Sequence, residues 1–219
     1  MAEEKKGLFD NVWTIPNALT VLRILLVPVF VLCFYKGKII PAFLIVVFSG
    51  VTDNLDGRIA RKFNQISELG KTLDPVADKL TQITLAVMFY LEFKKSASPS
   101  MAAFSWVFLL FLFKELFMIF VGFIMLIIGL RPVPAVIYGK VATVVFYIVM
   151  ATLLSFGPDI GAFSKMFPVV TIPEWFAMML VVIATILTFI ALFSYFPVTI
   201  RQFKEKFGKN KNKDKGQKI

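Results

Sequence analysis

Long apolar runs alternate with short polar segments along this chain. Six runs are long enough to form membrane-spanning helices, or to be extended into them, and such helices need about 20 residues each. The runs cover residues 18–35, 39–51, 80–93, 101–130, 141–155 and 175–196. The second and third reach the required length only if their helices continue into the polar segment between them. The pattern therefore predicts an all-α integral membrane protein with six transmembrane helices.

Two further segments flank the predicted spans. The stretch GLFDNVW ends at Trp13 and carries several apolar residues close together, which predicts a short interfacial helix with Trp13 at headgroup depth. Residues 201–219 carry eight basic and two acidic residues, which predicts a disordered tail that is attracted to anionic lipid. The expected organisation is a juxtamembrane segment (1–13), a membrane domain (14–200) and a basic cytosolic tail (201–219).

The distribution of positive charge predicts the orientation. With six spans, both termini lie on the same side, together with seventeen basic residues, while five lie on the other side. The side richer in Lys and Arg is normally cytoplasmic. We therefore expect a multi-pass protein of the cell membrane, with both termini and the polar segment at residues 51–80 in the cytoplasm. The basic tail is not accompanied by a folded basic face, so nucleic acid is not an expected partner.

Composition narrows the possible chemistry. The chain has 219 residues, of which 58% are hydrophobic and 17% are charged, whereas soluble domains are about 25% charged. It contains no histidine, which excludes His-based catalysis and His-ligated metal sites. The single cysteine, Cys33, cannot form an internal disulfide. Acid–base chemistry must therefore use carboxylates, lysines or tyrosines.

Four aspartates lie in the polar segment VTDNLDGRIARKFNQISELGKTLDPVADKL. Asp53 and Asp56 are three residues apart, and Asp74 and Asp78 are four apart. On helices each pair would share a face, and a turn at the membrane surface would bring the pairs together. A charge at mid-bilayer costs at least about 2.5–3.5 kcal/mol, so this cluster needs neutralising cations. Oxygen ligands favour Mg²⁺ or Mn²⁺, and two such ions suit a phosphoryl displacement.

Other interpretations of the aspartates remain open at this point. Asp74 precedes Pro75 and fits a helix N-cap with proline at the first helical position. Asp53 and Asp56 can also be explained as partners of nearby basic residues (Arg58, Arg61 and Lys62). Clustered acids within a membrane also mark ion pathways, so a divalent-cation transporter is a second functional class. The acids lie near one membrane face, which argues against a continuous path across the bilayer.

The spacing of the whole segment resembles the signature of the CDP-alcohol phosphotransferases. The matching pattern reads Asp53-x2-Asp56-Gly57-x2-Ala60-Arg61-x8-Gly70-x3-Asp74-x3-Asp78, without a gap or substitution. The resemblance implies a six-helix membrane fold, often dimeric, with a polar cavity open to the cytosol. It also implies that an acceptor hydroxyl attacks the β-phosphorus of a CDP-linked lipid and that CMP leaves.

The resemblance also implies residue roles. Asp53, Asp56, Asp74 and Asp78 would bind two metal ions, and Asp78 would also be the general base. The matching Gly57, Ala60, Arg61 and Gly70 would contact the CDP-lipid, with the guanidinium of Arg61 suited to its diphosphate.

Residues 14–30 (TIPNALTVLRILLVPVF) are similar to the first helix of the branch of this family that makes acidic phospholipids from CDP-diacylglycerol. Asn17, Thr20 and Arg23 follow one another at steps of three. We expect them to form a polar strip that faces the cavity and binds the CDP-lipid. The alternative is an ordinary helix start in which Arg23 reaches towards the membrane surface.

The acceptor is predicted from weaker similarities. Lys114-Glu115 lies where glycerol-3-phosphate-using enzymes have Arg-Glu, and Gly139-Lys140 resembles their Gly-Lys. The predicted acceptor-binding residues are therefore Lys114, Arg131 and Lys140. Lys114 and Glu115 could instead form a structural ion pair, and Arg131 could mark a helix end.

The segment after Glu115 lacks a further arginine that these enzymes usually carry, and this part of the chain also resembles CMP-forming cardiolipin synthases. The sequence predicts sn-glycerol 3-phosphate as acceptor, as in a phosphatidylglycerophosphate synthase, with phosphatidylglycerol as the alternative.

Overall fold

A computed structural model describes residues 14–63, 67–130 and 137–216. In this part of the chain the fold is helical. The predicted interfacial helix before residue 14 lies outside the described residues. The helices are α1 (Ile15–Tyr35), α2 (Ile39–Lys62), α3 (Glu68–Lys95), α4 (Pro99–Phe104), α5 (Val107–Ile127), α6 (Ile137–Phe156), α7 (Ala162–Met166) and α8 (Glu174–Gly216), with a 3-10 turn (Pro168–Val170) before α8.

The six long helices (α1, α2, α3, α5, α6 and α8) form a bundle with short connections, so consecutive helices run in opposite directions. Contacts at the two ends confirm this arrangement. At one end, the Ser98 hydroxyl before α4 donates to Glu174 at the start of α8 (2.6 Å). At the other end, the Lys206 ammonium of α8 donates to the Ile128 carbonyl at the end of α5. The start of α1, the end of α2 and the start of α3 lie at this second end.

Four stretches are long and apolar enough to cross a membrane: Ile15–Tyr35, Pro99–Ile127, Ile137–Phe156 and Glu174–Lys206. The apolar part of α2, Ile39–Asp53, is shorter, and the first half of α3 contains charged residues. The structure therefore confirms an all-helical fold with the character of a membrane protein. The predicted total of six spans stays a prediction, as does the cavity open to the cytosol.

Helices α2 and α3 both continue into the polar segment, as the sequence pattern required. Helix α3 begins after Ser67, whose hydroxyl oxygen accepts a hydrogen bond from the Gly70 N–H (2.9 Å), the usual arrangement of a serine N-cap. Pro75 therefore lies inside α3. The interpretation of Asp74 as an N-cap is wrong, because the helix starts six residues before it.

The fourth apolar run is divided into two helices, whereas the sequence predicted one. The break falls at Ser105 and Trp106, between α4 and α5. The Ser105 hydroxyl donates to the Ala102 carbonyl (2.7 Å), and the backbone N–H groups of Ser105, Phe108 and Leu109 bond to carbonyls three residues back. A serine side chain that competes for backbone carbonyls favours such a tightened turn.

Stacked phenylalanines hold α3 against α5 and α6. Phe89 and Phe93 of α3 are buried and lie 5.7 Å and 4.9 Å from the ring of Phe108 on α5. Further along α5, Phe111 packs 5.0 Å from Phe146 of α6. Aromatic pairs at these distances add to the stabilisation gained from burial. This cluster fixes the positions of the helices that carry the polar side chains described below.

The last helix continues past the predicted end of the membrane domain. Helix α8 runs from Glu174 to Gly216, so the boundary at residue 200 falls inside it. Contact between Lys206 and the end of α5 joins the first part of the predicted tail to the bundle. The division into three segments stays a prediction.

Candidate functional site

A buried polar strip runs along the first helix. Asn17, Thr20 and Arg23 are 4%, 0% and 1% exposed. Residues three apart lie on one face of a helix, and here that face points into the bundle towards α2 and α3. The interpretation in which Arg23 reaches to the membrane surface is therefore wrong.

This strip connects two of the predicted carboxylates. The Arg23 Nη1 donates to Oδ1 of Asp53 on α2 (2.6 Å), and the Thr20 hydroxyl donates to Oδ1 of Asp74 on α3 (2.5 Å). Hydrogen bonds to ionised groups are short and about twice as strong as neutral ones. Helix α1 thus holds one aspartate from each of its two neighbours.

Two side chains that the sequence analysis did not identify hold Asp78. The Tyr147 hydroxyl of α6 donates to Oδ1 (3.0 Å), and the Gln82 amide of α3 donates to Oδ2 (2.7 Å). Gln82 follows Asp78 by four residues, so helical spacing could have identified it. Tyr147 is 69 positions away in the chain, and no local pattern links the two.

The negative charges of Asp74 and Asp78 both act on the carboxylate of Asp53. The set offers oxygen ligands alone, which suits a hard divalent cation. Within the described side chains, no three potential ligands are grouped closely enough to enclose an ion. Asp56 lies on α2, one turn after Asp53, and its side chain is outside what the structure describes. The all-oxygen donor chemistry of these side chains fits a divalent metal.

Close packing between α1 and α3 explains the glycine at position 70. The Ser67 hydroxyl donates to Oδ1 of Asn17 (2.9 Å) directly beside Gly70. A Cβ at position 70 would clash with that Asn17 oxygen and lie 3.0 Å from Ser67 Oγ. This packing gives Gly70 a structural role that is separate from its predicted contact with the CDP-lipid.

We expect Gly70→Ala to destabilise the protein by about 1–3 kcal/mol, because overpacking has costs of this order. The Thr20–Asp74 contact should weaken as α1 and α3 separate. Thermal unfolding of the purified protein in detergent measures the change. The matched control is Gly122→Ala on α5, where an added Cβ meets nothing within 4 Å. Equal unfolding temperatures for the two variants would contradict the packing argument.

A group of three charges, in which Lys114 and Glu115 are buried and Lys79 is partly exposed, lies next to Asp78. The Lys114 ammonium contacts Oε1 of Glu115 (2.5 Å), and the Lys79 ammonium contacts Oε2 of the same carboxylate. Two lysines share one glutamate, so the group has a net charge of +1, and Lys79 directly follows Asp78. The structure thus contains the ion pair predicted as an alternative for Lys114. The acceptor-binding role of Lys114 stays a prediction, and Lys79 was missed.

The remaining predicted site residues have no described contact with these groups or lie outside the described region. Lys140 is exposed in the first turn of α6. Arg131 lies outside the described residues. Four signature residues lie on α2 with side chains that the structure does not describe: Asp56, Gly57, Ala60 and Arg61.

The sequence model of the CDP-alcohol phosphatidyltransferase family matches residues 13–190. This span covers all of α1 to α7, and the chain belongs to that family. The match confirms the resemblance carried by the aspartate signature. The family is generally dependent on a divalent metal, in agreement with the oxygen-rich cluster on α2 and α3.

Individual relatives match over shorter stretches. A putative cardiolipin synthase of Mycobacterium tuberculosis (strain ATCC 25618 / H37Rv) is 43% identical over 84 residues, or 38% of this chain and 40% of the relative. A CDP-diacylglycerol–glycerol-3-phosphate 3-phosphatidyltransferase of Pseudomonas fluorescens is 43% identical over 81 residues, 36% of this chain and 42% of the relative. A probable CMP-forming cardiolipin synthase of Drosophila melanogaster is 33% identical over 125 residues, 56% of this chain and 36% of the relative. Each match covers less than half of the relative's length, and the names divide between two acceptors.

Proposed function

We propose that this protein transfers a phosphatidyl group from CDP-diacylglycerol to a glycerol-type acceptor and releases CMP. The observation that carries the proposal is that Arg23 and Thr20, on one face of α1, hold Asp53 of α2 and Asp74 of α3. The two aspartates belong to the complete family signature, and acids of that signature are held in place by α1 and α6. Membership of the CDP-alcohol phosphatidyltransferase family supports the same reaction class.

Four aspartates would hold the metal, which we propose to be two Mg²⁺ or Mn²⁺ ions: Asp53, Asp56, Asp74 and Asp78. Divalent cations held by these residues would supply positive charge to the diphosphate and to the departing CMP. Around them, Gly57, Ala60, Arg61 and Gly70 would contact the CDP-lipid. The planar guanidinium of Arg61 can donate two parallel hydrogen bonds to phosphate oxygens.

The polar strip of α1 consists of Asn17, Thr20 and Arg23, which the sequence predicts to bind the CDP-lipid. We propose that the strip also has a structural role. Their burial and their contacts with Ser67, Asp74 and Asp53 support a role in holding the walls of the CDP-lipid site.

Asp78 is the proposed general base. Its carboxylate would take the proton of the acceptor hydroxyl while the hydroxyl oxygen attacks the β-phosphorus. The bond between that phosphorus and the CMP oxygen then breaks, so the phosphatidyl group moves to the acceptor and CMP carries away the leaving electron pair. Positioned general bases typically contribute about 10²–10⁴-fold to a rate.

The proposed acceptor is sn-glycerol 3-phosphate, held through its phosphate by Lys114, Arg131 and Lys140. Phosphatidylglycerol is the second candidate. Residues 116–127 of α5 (LFMIFVGFIMLI) carry no basic side chain, whereas enzymes that use glycerol 3-phosphate usually have an arginine there. Some matching relatives are also named cardiolipin synthases.

We further propose a multi-pass protein of the cell membrane with its termini and active site in the cytoplasm. The unequal distribution of basic residues supports this orientation. Surrounding membrane lipids are its environment, and a homodimer is the proposed assembly on the basis of the family resemblance.

The test is CMP release by the detergent-purified protein with CDP-diacylglycerol and Mg²⁺, comparing the two acceptors. Release with glycerol 3-phosphate alone would establish a phosphatidylglycerophosphate synthase. Release with phosphatidylglycerol would establish a cardiolipin synthase. If CMP is released with neither acceptor and divalent metal enters proteoliposomes that contain the protein, the result would favour a transporter instead.

A further inference from the structure

We propose that Tyr147 is a positioning residue for Asp78: its hydroxyl fixes the carboxylate in the orientation needed to bind metal and to receive the acceptor proton. The inference rests on the proposed function, because that function gives Asp78 both tasks. Tyr147 lies outside the aspartate signature and was not singled out by any sequence pattern.

Two hydrogen bonds hold the Asp78 carboxylate, one at each oxygen. Gln82 donates to Oδ2 from the next turn of the same helix (2.7 Å), so it moves together with Asp78 if α3 shifts. Tyr147 donates to Oδ1 from α6 (3.0 Å). Among the described hydrogen bonds to Asp78, this one comes from another helix. It therefore fixes the carboxylate relative to the rest of the bundle.

The Tyr147 ring is itself held by the aromatic core. It packs edge-on against Phe146 at 5.9 Å, and Phe146 is buried and lies 5.0 Å from Phe111 of α5. A hydroxyl on a packed ring has little freedom to move, which is the condition for holding a reactive group in a productive geometry. Tyr147 thus connects Asp78 to the rigid part of the protein.

The Tyr147 hydroxyl is also exposed to other charges of the site. The charges of Asp53 and Arg23, as well as that of Asp78, act on Tyr147. Lys140, a predicted acceptor-binding residue, precedes Tyr147 by seven residues on α6. Two helical turns separate them by about 10 Å on nearly the same face. An acceptor whose phosphate contacts Lys140 would extend along this face towards Asp78.

Tyr147→Phe removes one oxygen atom and keeps the packed ring. Outer partners of metal ligands typically contribute about 10–100-fold to metal affinity or activity. We expect kcat to fall about 10-fold or more, with KM for CDP-diacylglycerol within about twofold of wild type, because the contact orients a reacting group and does not bind the lipid. We also expect Mn²⁺ affinity to fall about 10-fold.

The experiment compares wild type, Tyr147→Phe and Tyr90→Phe in detergent. Tyr90 is the matched control because its hydroxyl accepts from Lys94 (3.2 Å) near the far end of α3. Three measurements are made: the kinetics of CMP release, which give kcat and KM; thermal unfolding; and free Mn²⁺ in a titration with the metal alone. A loss of kcat and of Mn²⁺ affinity in the first variant, with wild-type values in the control, is the expected result.

Several results would overturn the inference. These are an unchanged kcat and Mn²⁺ affinity in Tyr147→Phe, an increase in KM alone, or an equal loss in Tyr90→Phe. If Tyr147→Phe does not fold, Tyr147→Met is the second variant, because it also lacks the hydroxyl and fills the space with a flexible apolar side chain. It should show the same loss of kcat and of Mn²⁺ affinity. Wild-type values for both in this variant would overturn the inference. If wild type releases no CMP, the proposed function fails, and the Mn²⁺ titration still decides the role of Tyr147.

Discussion

Asp78→Asn is expected to reduce CMP release by at least about 10²–10⁴-fold, the contribution typical of a positioned general base. Asparagine has nearly the same shape as aspartate, and its carbonyl oxygen can still accept the hydrogen bond from Tyr147. It cannot take up the proton of the acceptor hydroxyl, and it is a weaker metal ligand. The variant should therefore fold and bind CDP-diacylglycerol while the chemical step is lost.

The measurement is CMP release at saturating substrates, with thermal unfolding and CDP-diacylglycerol binding followed in parallel. Asp159→Asn is the matched control. Asp159 accepts a hydrogen bond from Ser96 at the opposite end of the bundle (2.7 Å) and has a φ of 65°, a conformation that asparagine also tolerates. Activity of Asp78→Asn equal to that of this control would contradict the general-base assignment.

Glu115→Gln is expected to have the largest effect on stability. The Glu115 side chain is 5% exposed and lies between the ammonium groups of Lys79 and Lys114. Glutamine keeps the shape but removes the charge that balances two lysines. Removing one partner of a buried ion pair typically costs about 3–5 kcal/mol, because the remaining charge stays buried without compensation.

Thermal unfolding in detergent tests this expectation. The control carries the same substitution at Glu92, whose partly exposed carboxylate lies 3.6 Å from the exposed Lys95. Exposed pairs of this kind contribute about 0–1 kcal/mol, so Glu92→Gln should unfold near the wild-type temperature. An equally small effect of Glu115→Gln would mean that the buried Lys114 has another counter-charge.

The parts of the site that the sequence predicted depend on local spacing. Asp53 on α2, and Asp74 and Asp78 on α3, follow helical intervals, and so do the three polar residues of α1. A helix converts such intervals directly into a shared face. For this reason the extension of α2 and α3 into the polar segment, and the inward-facing strip on α1, could be inferred before the structure was known.

The parts that could not be predicted are contacts between distant residues. Tyr147 and Asp78 are 69 positions apart, and Lys79 and Glu115 are 36 apart. Such pairs depend on how whole helices pack, and one sequence carries no periodic signal for that packing. The break at Ser105 was missed for a different reason. A single hydroxyl competes with the backbone there, and the apolar pattern continues on both sides of it.

The polar strip of α1 also has a consequence for the order in which the protein assembles during synthesis. The chain is made from its N-terminus, so α1 leaves the ribosome ahead of Asp53, which follows Arg23 by 30 residues, and ahead of Asp74, which follows Thr20 by 54 residues. A lone arginine near the middle of such a helix costs about 2.5–3.5 kcal/mol, which the apolar side chains of α1 must offset during insertion. Its stable position is reached when α2 and α3 have followed. The first three helices are therefore the smallest part of the newly made chain in which Arg23 and Thr20 both have their carboxylate partners.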